Sequence, residues 1–395
     1  MRCNPPLRVV TSCRGRFHIF DQARELARHG ALHQLITDYP RAWPGRFGIP
    51  PEKVKSLLLS GLINHGFGRI RSYFSGDTRD RMDHWIHDRF SSRLAELIPG
   101  DTQYFIGLSS FCLEALRVCR DLGIPCAVDH GSFHQQEEQL LIQEEAARWS
   151  VATPPHTAPD WIIEKEDREF EVADSVFVLS SAARDSMVRR GVAKNKICVN
   201  PCGVDLDAFR PGEKLDEIFR VIQVGRISLG KGVLTLLNAF ATLQRPDAEL
   251  WFVGGGMETS GLQSVVEQVR APGVSFKASV PQSQLRNYYC QSSVFVLASV
   301  ADGFAMVVPQ AMACGLPVIV TENVGAQDLI EDGVNGFVVP VGAPEIIAER
   351  LRQLHDAPEL RCAMGLAARL TVERGYSWQD YGDRLMSFLG AGVNA

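Results

Sequence analysis

ADGFAMVVPQAMACGLPVIVTENVGAQDLIEDGVNGFVVP, residues 301–340, holds the order of elements that decides the fold. Asp302-Gly303-Phe304-Ala305 carries too much turn chemistry for a helix. Met306 to Cys314 is built of good helix formers and stops at Gly315, followed by Pro317. Pro309 fits such a helix only in its first turn, where a missing N–H costs nothing. The helix is therefore predicted to begin near Ala305 to Pro309, turning its unpaired N–H groups and positive dipole end toward the Asp302 loop, a place suited to phosphate. Pro317 to Thr321 is an apolar strand, and Val324 to Gln327 a loop at its carboxyl end, the edge at which open parallel sheets bind ligands.

These residues resemble the signature of retaining glycosyltransferases of family 4, whose GT-B fold is two facing Rossmann-like domains. The family pattern is Glu, seven residues, Glu, wrapped around Gly-Phe-Gly and ending in Glu-Ala-Met-Ala-Cys/Ala-Gly-x-Pro-Val. Here Asp302 stands at the first Glu, Ala305 at the Gly after Phe, and Gln310 at the second Glu. Asp302 keeps the charge on a shorter arm. Gln310 lacks the charge that in the family grips the ribose diol, and leaves one acceptor oxygen.

A chain of 395 residues suits two domains, each large enough to bury its own core. Its ten cysteines include no CxxC pair and no histidine partners at metal spacing, so a disulfide scaffold and a zinc site are both poor readings. No apolar run approaches membrane-spanning length, and MRCNPPLRVV has no signal-peptide core; a cytoplasmic chain is expected. A net charge of -5 argues against general nucleic-acid binding.

Along the chain, apolar strands alternate with helices. Leu7 to Ser12, Leu32 to Thr37, Gln103 to Leu108, Pro125 to Asp129, Ser175 to Ser180 and Lys196 to Asn200 read as the strands of a first doubly wound sheet. Thr153 to Pro159 is a loop, and Ser181 is the expected N-cap of the helix that closes at Gly191. Phe219 to Val224, Ala248 to Val253, Val274 to Lys277, Ser293 to Ala298 and Pro317 to Thr321 read as a second parallel sheet. Ser377 with Asp380 three residues on is a capping box for a last helix. The resemblance implies an α/β GT-B chain with an acceptor-side domain over 1–204, a linker over 205–215, a donor-nucleotide domain over 216–375, and a C-terminal helix over 376–395 that crosses back onto the first domain. In residues 41–100, Trp43, Phe47, Tyr73 and Trp85 mix with Arg and Lys. This segment is either a solvated helical face or a peripheral contact with anionic lipid.

Gly225-Arg226 and Lys231-Gly232 set a guanidinium and an ammonium in one Gly-rich loop after a strand, the pair expected for a diphosphate. The resemblance gives Arg226 and Lys231 the sugar nucleotide's phosphates, Asp302 the donor sugar's hydroxyls, and His130, at the end of its strand, a contact with the sugar across the cleft. His134 is a weaker candidate than His130. The resemblance also places Gly15 by the diphosphate, and Gly254, Val280, Phe304, Ala305, Met306, Val307 and Gln310 around the nucleotide. It implies a nucleotide-diphosphate sugar as donor substrate, a glycan, lipid-linked or small-molecule hydroxyl as acceptor, and no cofactor or metal. Two alternatives stay open: a sugar-nucleotide epimerase of the same fold, and a catalytically weak binding protein in which Asp302 and Gln310 replace both glutamates.

Overall fold

The computed structural model describes residues 7–70, 74, 76–151, 158–257, 261–269 and 271–393; Tyr73 and most of the Thr153 to Pro159 loop fall outside them. Two sheets form, and every strand pair in both is parallel. The first contains β1 (Val9–Cys13), β2 (Leu32–Thr37), β3 (Val54–Ser56), β4 (Tyr104–Leu108), β5 (Cys126–His130), β6 (Ser175–Val178) and β7 (Ile197–Val199). The second contains β8 (Phe219–Val224), β9 (Ala248–Val253), β10 (Val274–Lys277), β11 (Val294–Leu297), β12 (Val318–Thr321) and β13 (Gly336–Val339).

The strand orders are β3-β2-β1-β4-β5-β6-β7 and β10-β9-β8-β11-β12-β13. Each order reverses once, between β1 and β4 and between β8 and β11, so the loops leaving those strands diverge and open a crevice at the carboxyl edge. Helices cover both faces, which is why the strands are apolar on both sides. Val10 and Phe105 enter one core while Val9 and Ile106 enter the other; Ile222 and Phe295 are likewise separated from Val221 and Val296. The architecture is GT-B, two Rossmann-like units.

The capping box forms as the spacing predicts. Ser377 N–H and Oγ donate to Asp380 at 2.8 and 2.6 Å, and Asp380 N–H returns to Ser377 Oγ at 3.2 Å. The helix it starts, Trp378–Val393, buries Tyr381, Leu385 and Leu389, spaced four apart, against Ile19, Phe20, Ala23 and Leu26 of helix Ile19–Arg28. The chain thus returns to the first sheet after completing the second.

Several local expectations change. The N-cap near residue 181 is Ser180, whose Oγ accepts from Ala183 N–H at 3.1 Å; Ser181 is the first helical residue. Strands β3, with one buried residue in Val54–Ser56, and β13, which opens on Gly336 directly after a turn, escape the reading. Residues 341–376, left unassigned from sequence, hold helices Pro344–Asp356 and Pro358–Glu373, each opened by a proline in its first turn. In the segment after β2, Trp43 stacks on Tyr39 at 4.0 Å and meets Phe20 edge-on at 5.7 Å, so these aromatics pack inward.

Candidate functional site

The crevice holds a cavity of about 570 Å³ walled by both sheets. His18, Ser109, Ser110, His130, Ser132 and Glu166 line it from the first sheet, and Lys231, Asp302 and Phe304 to Val307 from the second. A neighbouring cavity of about 770 Å³ runs from Arg16, Arg24 and Arg46 to Gln282, Met306 and Gln310.

The Asp302 loop is fixed by close backbone contact between the two halves. A Cβ on Gly303 would lie 2.2 Å from the Gly131 carbonyl oxygen, so only glycine permits the approach. Ser180 Oγ donates to the Gly303 carbonyl at 2.7 Å, and Ser181 N–H to the Asp328 carboxylate at 2.6 Å. Ala305, where the family carries glycine, has φ +62°. A side chain in the left-handed region costs roughly 1–2 kcal/mol, so the loop keeps the glycine conformation without the glycine.

Helix Val307–Ala313 follows, with Pro309 in its first turn as the sequence requires. Ala305 and Met306, which lead into it, and its first residue Val307 line the first cavity, and Val308 N–H is donated to the Ala305 carbonyl at 2.9 Å. Asp302 accepts from Phe304 N–H at 3.2 Å with one oxygen and from Lys231 Nζ with the other. Lys231 ends a tight turn at Gly232, φ +66°, where a Cβ would collide with the Ala298 carbonyl. Burial opposes the Lys231 charge, yet Asp302 and Glu138 together outweigh it and hold the ammonium above its ordinary pKa.

His130 is 1% exposed and both ring nitrogens have protein neighbours: Nδ1 is 2.9 Å from Ser109 Oγ, and Nε2 is 2.9 Å from the Phe133 carbonyl. A carbonyl only accepts, so Nε2 carries a proton. His130 therefore lines the cavity with both ring nitrogens already engaged by protein groups. His134 instead caps helix Gln135–Arg148, with Nε2 2.9 Å from Asp167, and lies outside the cavity walls.

Gln310 is buried beside the second cavity, and its Oε1 receives Tyr289 OH at 3.4 Å. Arg226 is exposed, lies over Gly256, and is not on the wall of either cavity. Gly15 has φ +80° and donates its N–H to Asp38 at 2.9 Å; its neighbours Arg16 and Phe17 reach the cavities in its place. Gly254 passes under the Gly225 carbonyl, which a Cβ would meet at 1.8 Å. Val280 packs on the core below the loops. Lys231, Asp302, His130 and Phe304 to Val307 thus share one cavity, Gln310 faces the next, and Arg226, Gly15, Gly254 and Val280 stand outside both walls.

The sequence reading missed two groups. His18 lines both cavities and is bonded to Asp129 at 2.7 Å; burial opposes its charge, but the carboxylate raises its pKa. Glu166 lines the first cavity, and burial raises its pKa. A signal for Glu166 exists in helix Asp160–Val172: Ile163, Glu166, Glu169 and Phe170 share one buried face, so two carboxyl groups sit in an apolar stripe.

Residues 207–371 match the family described as "Glycosyl transferases group 1". A D-inositol 3-phosphate glycosyltransferase of Segniliparus rotundus is 34% identical over 208 residues, 49% of this chain and 46% of that protein. The chain spans about half the length of the curated relatives it matches, 46% and 56% of the first two. Among solved structures, a sucrose-phosphate synthase from Thermosynechococcus elongatus aligns over 98% of both chains with TM-score 0.72 and 19% identity. The Anabaena protein HepE, in complex with UDP and glucose, aligns over 98% of this chain and all of its own with TM-score 0.67 and 15% identity. These structural likenesses establish the fold.

Proposed function

We propose that this protein is a retaining glycosyltransferase of the family 4 type, moving a sugar from a nucleotide-diphosphate sugar to a hydroxyl on a glycan, lipid-linked or small-molecule acceptor. The observation that carries the reading is the Lys231–Asp302 pair beside the first turn of helix Val307–Ala313, facing His130 across one cavity. Lys231, on the cavity wall, neutralises the leaving diphosphate through preorganised charge, without a metal, and Arg226, five residues earlier in the same loop, joins it by swinging in from its exposed place over Gly256. Asp302 accepts from the donor sugar's hydroxyls. Departure of the diphosphate and front-face attack by the acceptor oxygen then proceed through a short-lived oxocarbenium-like ion pair, with no enzyme nucleophile. Gln310 receives one ribose hydroxyl.

In this reading residues 1–204 form the acceptor-side domain, 205–215 the linker, 216–375 the donor domain and 376–395 the returning helix. The acceptor-side domain also supports a peripheral membrane contact for a cytoplasmic enzyme. Helix Leu58–Ile70 leaves Leu58, Leu59 and Leu62 exposed, Trp85 is exposed nearby in sequence, and no helix among the described residues is long and apolar enough to cross a bilayer.

A thermal-shift panel of UDP, GDP, ADP and TDP sugars tests the donor assignment, because a ligand that binds the folded state raises Tm. One nucleotide class is expected to shift Tm and to be turned over with its anomeric configuration kept. Turnover abolished by Lys231→Ala would exclude the binding-protein alternative. No shift with any member would refute the donor site.

A further inference from the structure

The first-sheet wall of the cavity holds an ionisable group that the proposed chemistry leaves unused. Glu166 is 3% exposed but lines the cavity. Its Oε1 accepts from Ser110 Oγ at 2.5 Å, and Ser109 lines the cavity beside it. Ser109 Oγ also meets His130 Nδ1 at 2.9 Å. Ser110 is kept at φ +71°, with its N–H donated to Glu169 at 2.6 Å. A non-glycine residue persists in that region only where its surroundings over-determine it, so the hydroxyl and carboxyl groups of this wall are held in place.

The charge balance limits what the wall accepts. Lys231, the ammonium on the opposite wall, is already bonded to Asp302. Glu138, bonded to Ser132 Oγ at 2.7 Å, adds a further carboxyl close enough to act on Lys231. Arg14 lies over the Phe111 ring at 5.4 Å and is not among the cavity's lining residues. His18, which also lines the cavity, is likewise bonded to Asp129, so a phosphate or carboxylate entering beside a bound diphosphate meets cations already paired and the carboxyl groups of Glu166 and Glu138, whereas a sugar hydroxyl meets a buried carboxyl acceptor beside two serines.

We propose that Ser109, Ser110 and Glu166 form an acceptor subsite for an uncharged, polyhydroxylated sugar, with Glu166 accepting a hydrogen bond from an acceptor hydroxyl. The inference rests on the glycosyltransferase reading and selects neutral over phosphorylated acceptors. No bond is made or broken at Glu166.

The test is calorimetry on the full chain saturated with the nucleoside diphosphate that raises Tm most, titrated with methyl α-D-glucopyranoside or with glucose 6-phosphate. The glucoside is expected to bind at least tenfold tighter than the phosphorylated sugar. Glu166→Ala is expected to weaken glucoside binding at least tenfold, and the isosteric Glu166→Gln about threefold, while nucleoside diphosphate affinity stays within twofold. A purely structural role for Glu166 would lower both affinities together. Ser109→Ala, which leaves the carboxyl in place, gives a second reading with an intermediate loss. Equal or tighter binding of glucose 6-phosphate, unchanged glucoside affinity in both Glu166 variants, or no glucoside uptake by the nucleotide-loaded wild type would each overturn the subsite. Failure of every nucleoside diphosphate to bind is a different result, which removes the glycosyltransferase reading and the subsite with it.

Discussion

The ammonium of Lys231 donates to the carboxylate of Asp302, joining the loop after β8 to the loop after β11 across the point where the strand order of the second sheet reverses. A diphosphate entering the cavity competes with Asp302 for Lys231, and Asp302 is then released toward sugar hydroxyls. The pair therefore couples two contacts that sequence treats as separate. Lys231→Ala is expected to lower kcat/KM by ~2 to 4 kcal/mol of transition-state stabilisation. Arg226→Ala, at an exposed side chain outside both walls, is expected to cost less. In a double-mutant cycle, Asp302→Asn should cost less in the Lys231→Ala background than in the wild type. Strict additivity in donor kinetics would show that the pair does not act as a unit.

Gly303→Ala is expected to separate the two halves of the molecule. The added Cβ would lie 2.2 Å from the Gly131 carbonyl, backbone against backbone, with no flexible side chain to give way. Small-angle scattering should report a larger radius of gyration, with turnover lost and nucleoside diphosphate affinity within about threefold of wild type. An unchanged radius with full activity would contradict the contact.

Ala305→Gly restores the residue that the left-handed φ of +62° favours. Relief of roughly 1–2 kcal/mol of strain is partly offset by the greater freedom of glycine in the unfolded chain. A rise in Tm of a few degrees is expected by calorimetry, and a fall would show that the methyl group's packing outweighs the strain.

Glu169 sets an expected pH dependence of stability. It accepts from the N–H groups of Ser110, Cys112 and Leu113, and burial pushes its pKa up from 4.5 to about 8. A pKa raised on folding means that its contribution is fully present below pH 4.5 and is lost as pH rises toward 8. Burial raises Glu166 and Glu138 in the same direction. Burial lowers His87 and His134, whose contributions act in the opposite sense below pH 6.5, so Tm should decline from there to pH 8. Glu169→Gln should be less stable throughout, because its amide offers only one acceptor oxygen, but with a flatter slope over that interval. Equal slopes would place the titration elsewhere.

Gln310→Glu and Gln310→Ala separate a ribose contact from a packing role. Gln310 is buried and receives Tyr289 OH at 3.4 Å, so its amide is already oriented. The Glu variant is expected to change donor affinity by no more than about tenfold, ~1.4 kcal/mol, and the Ala variant to lose affinity in calorimetry with the cognate nucleoside diphosphate. An Ala variant that binds as well as wild type would remove Gln310 from the ribose.

The sequence alone determined the local order: a loop at Asp302, a short helix whose start is limited by Pro309 and whose end is set by Gly315 and Pro317, an apolar strand after it, and a last helix capped by Ser377 and Asp380. Those features are legible because proline, glycine and cap residues act over three or four positions, and because strands covered on both faces are apolar throughout. It also marked Lys231 through glycines beside cations and His130 as a histidine at a strand end, and the resemblance of its loop to a family signature marked Asp302. Only the tertiary structure decided which of these meet. Lys231 turned inward to Asp302 and Arg226 outward over Gly256, although five positions in one loop separate them. His130 became committed to Ser109 and Phe133, and Glu166, on the buried stripe of its helix, reached the cavity wall. The reason is physical: side-chain direction at the end of a strand depends on which strands lie on either side. That order, with its reversals between β1 and β4 and between β8 and β11, is a property of the assembled sheets that no local window of sequence contains.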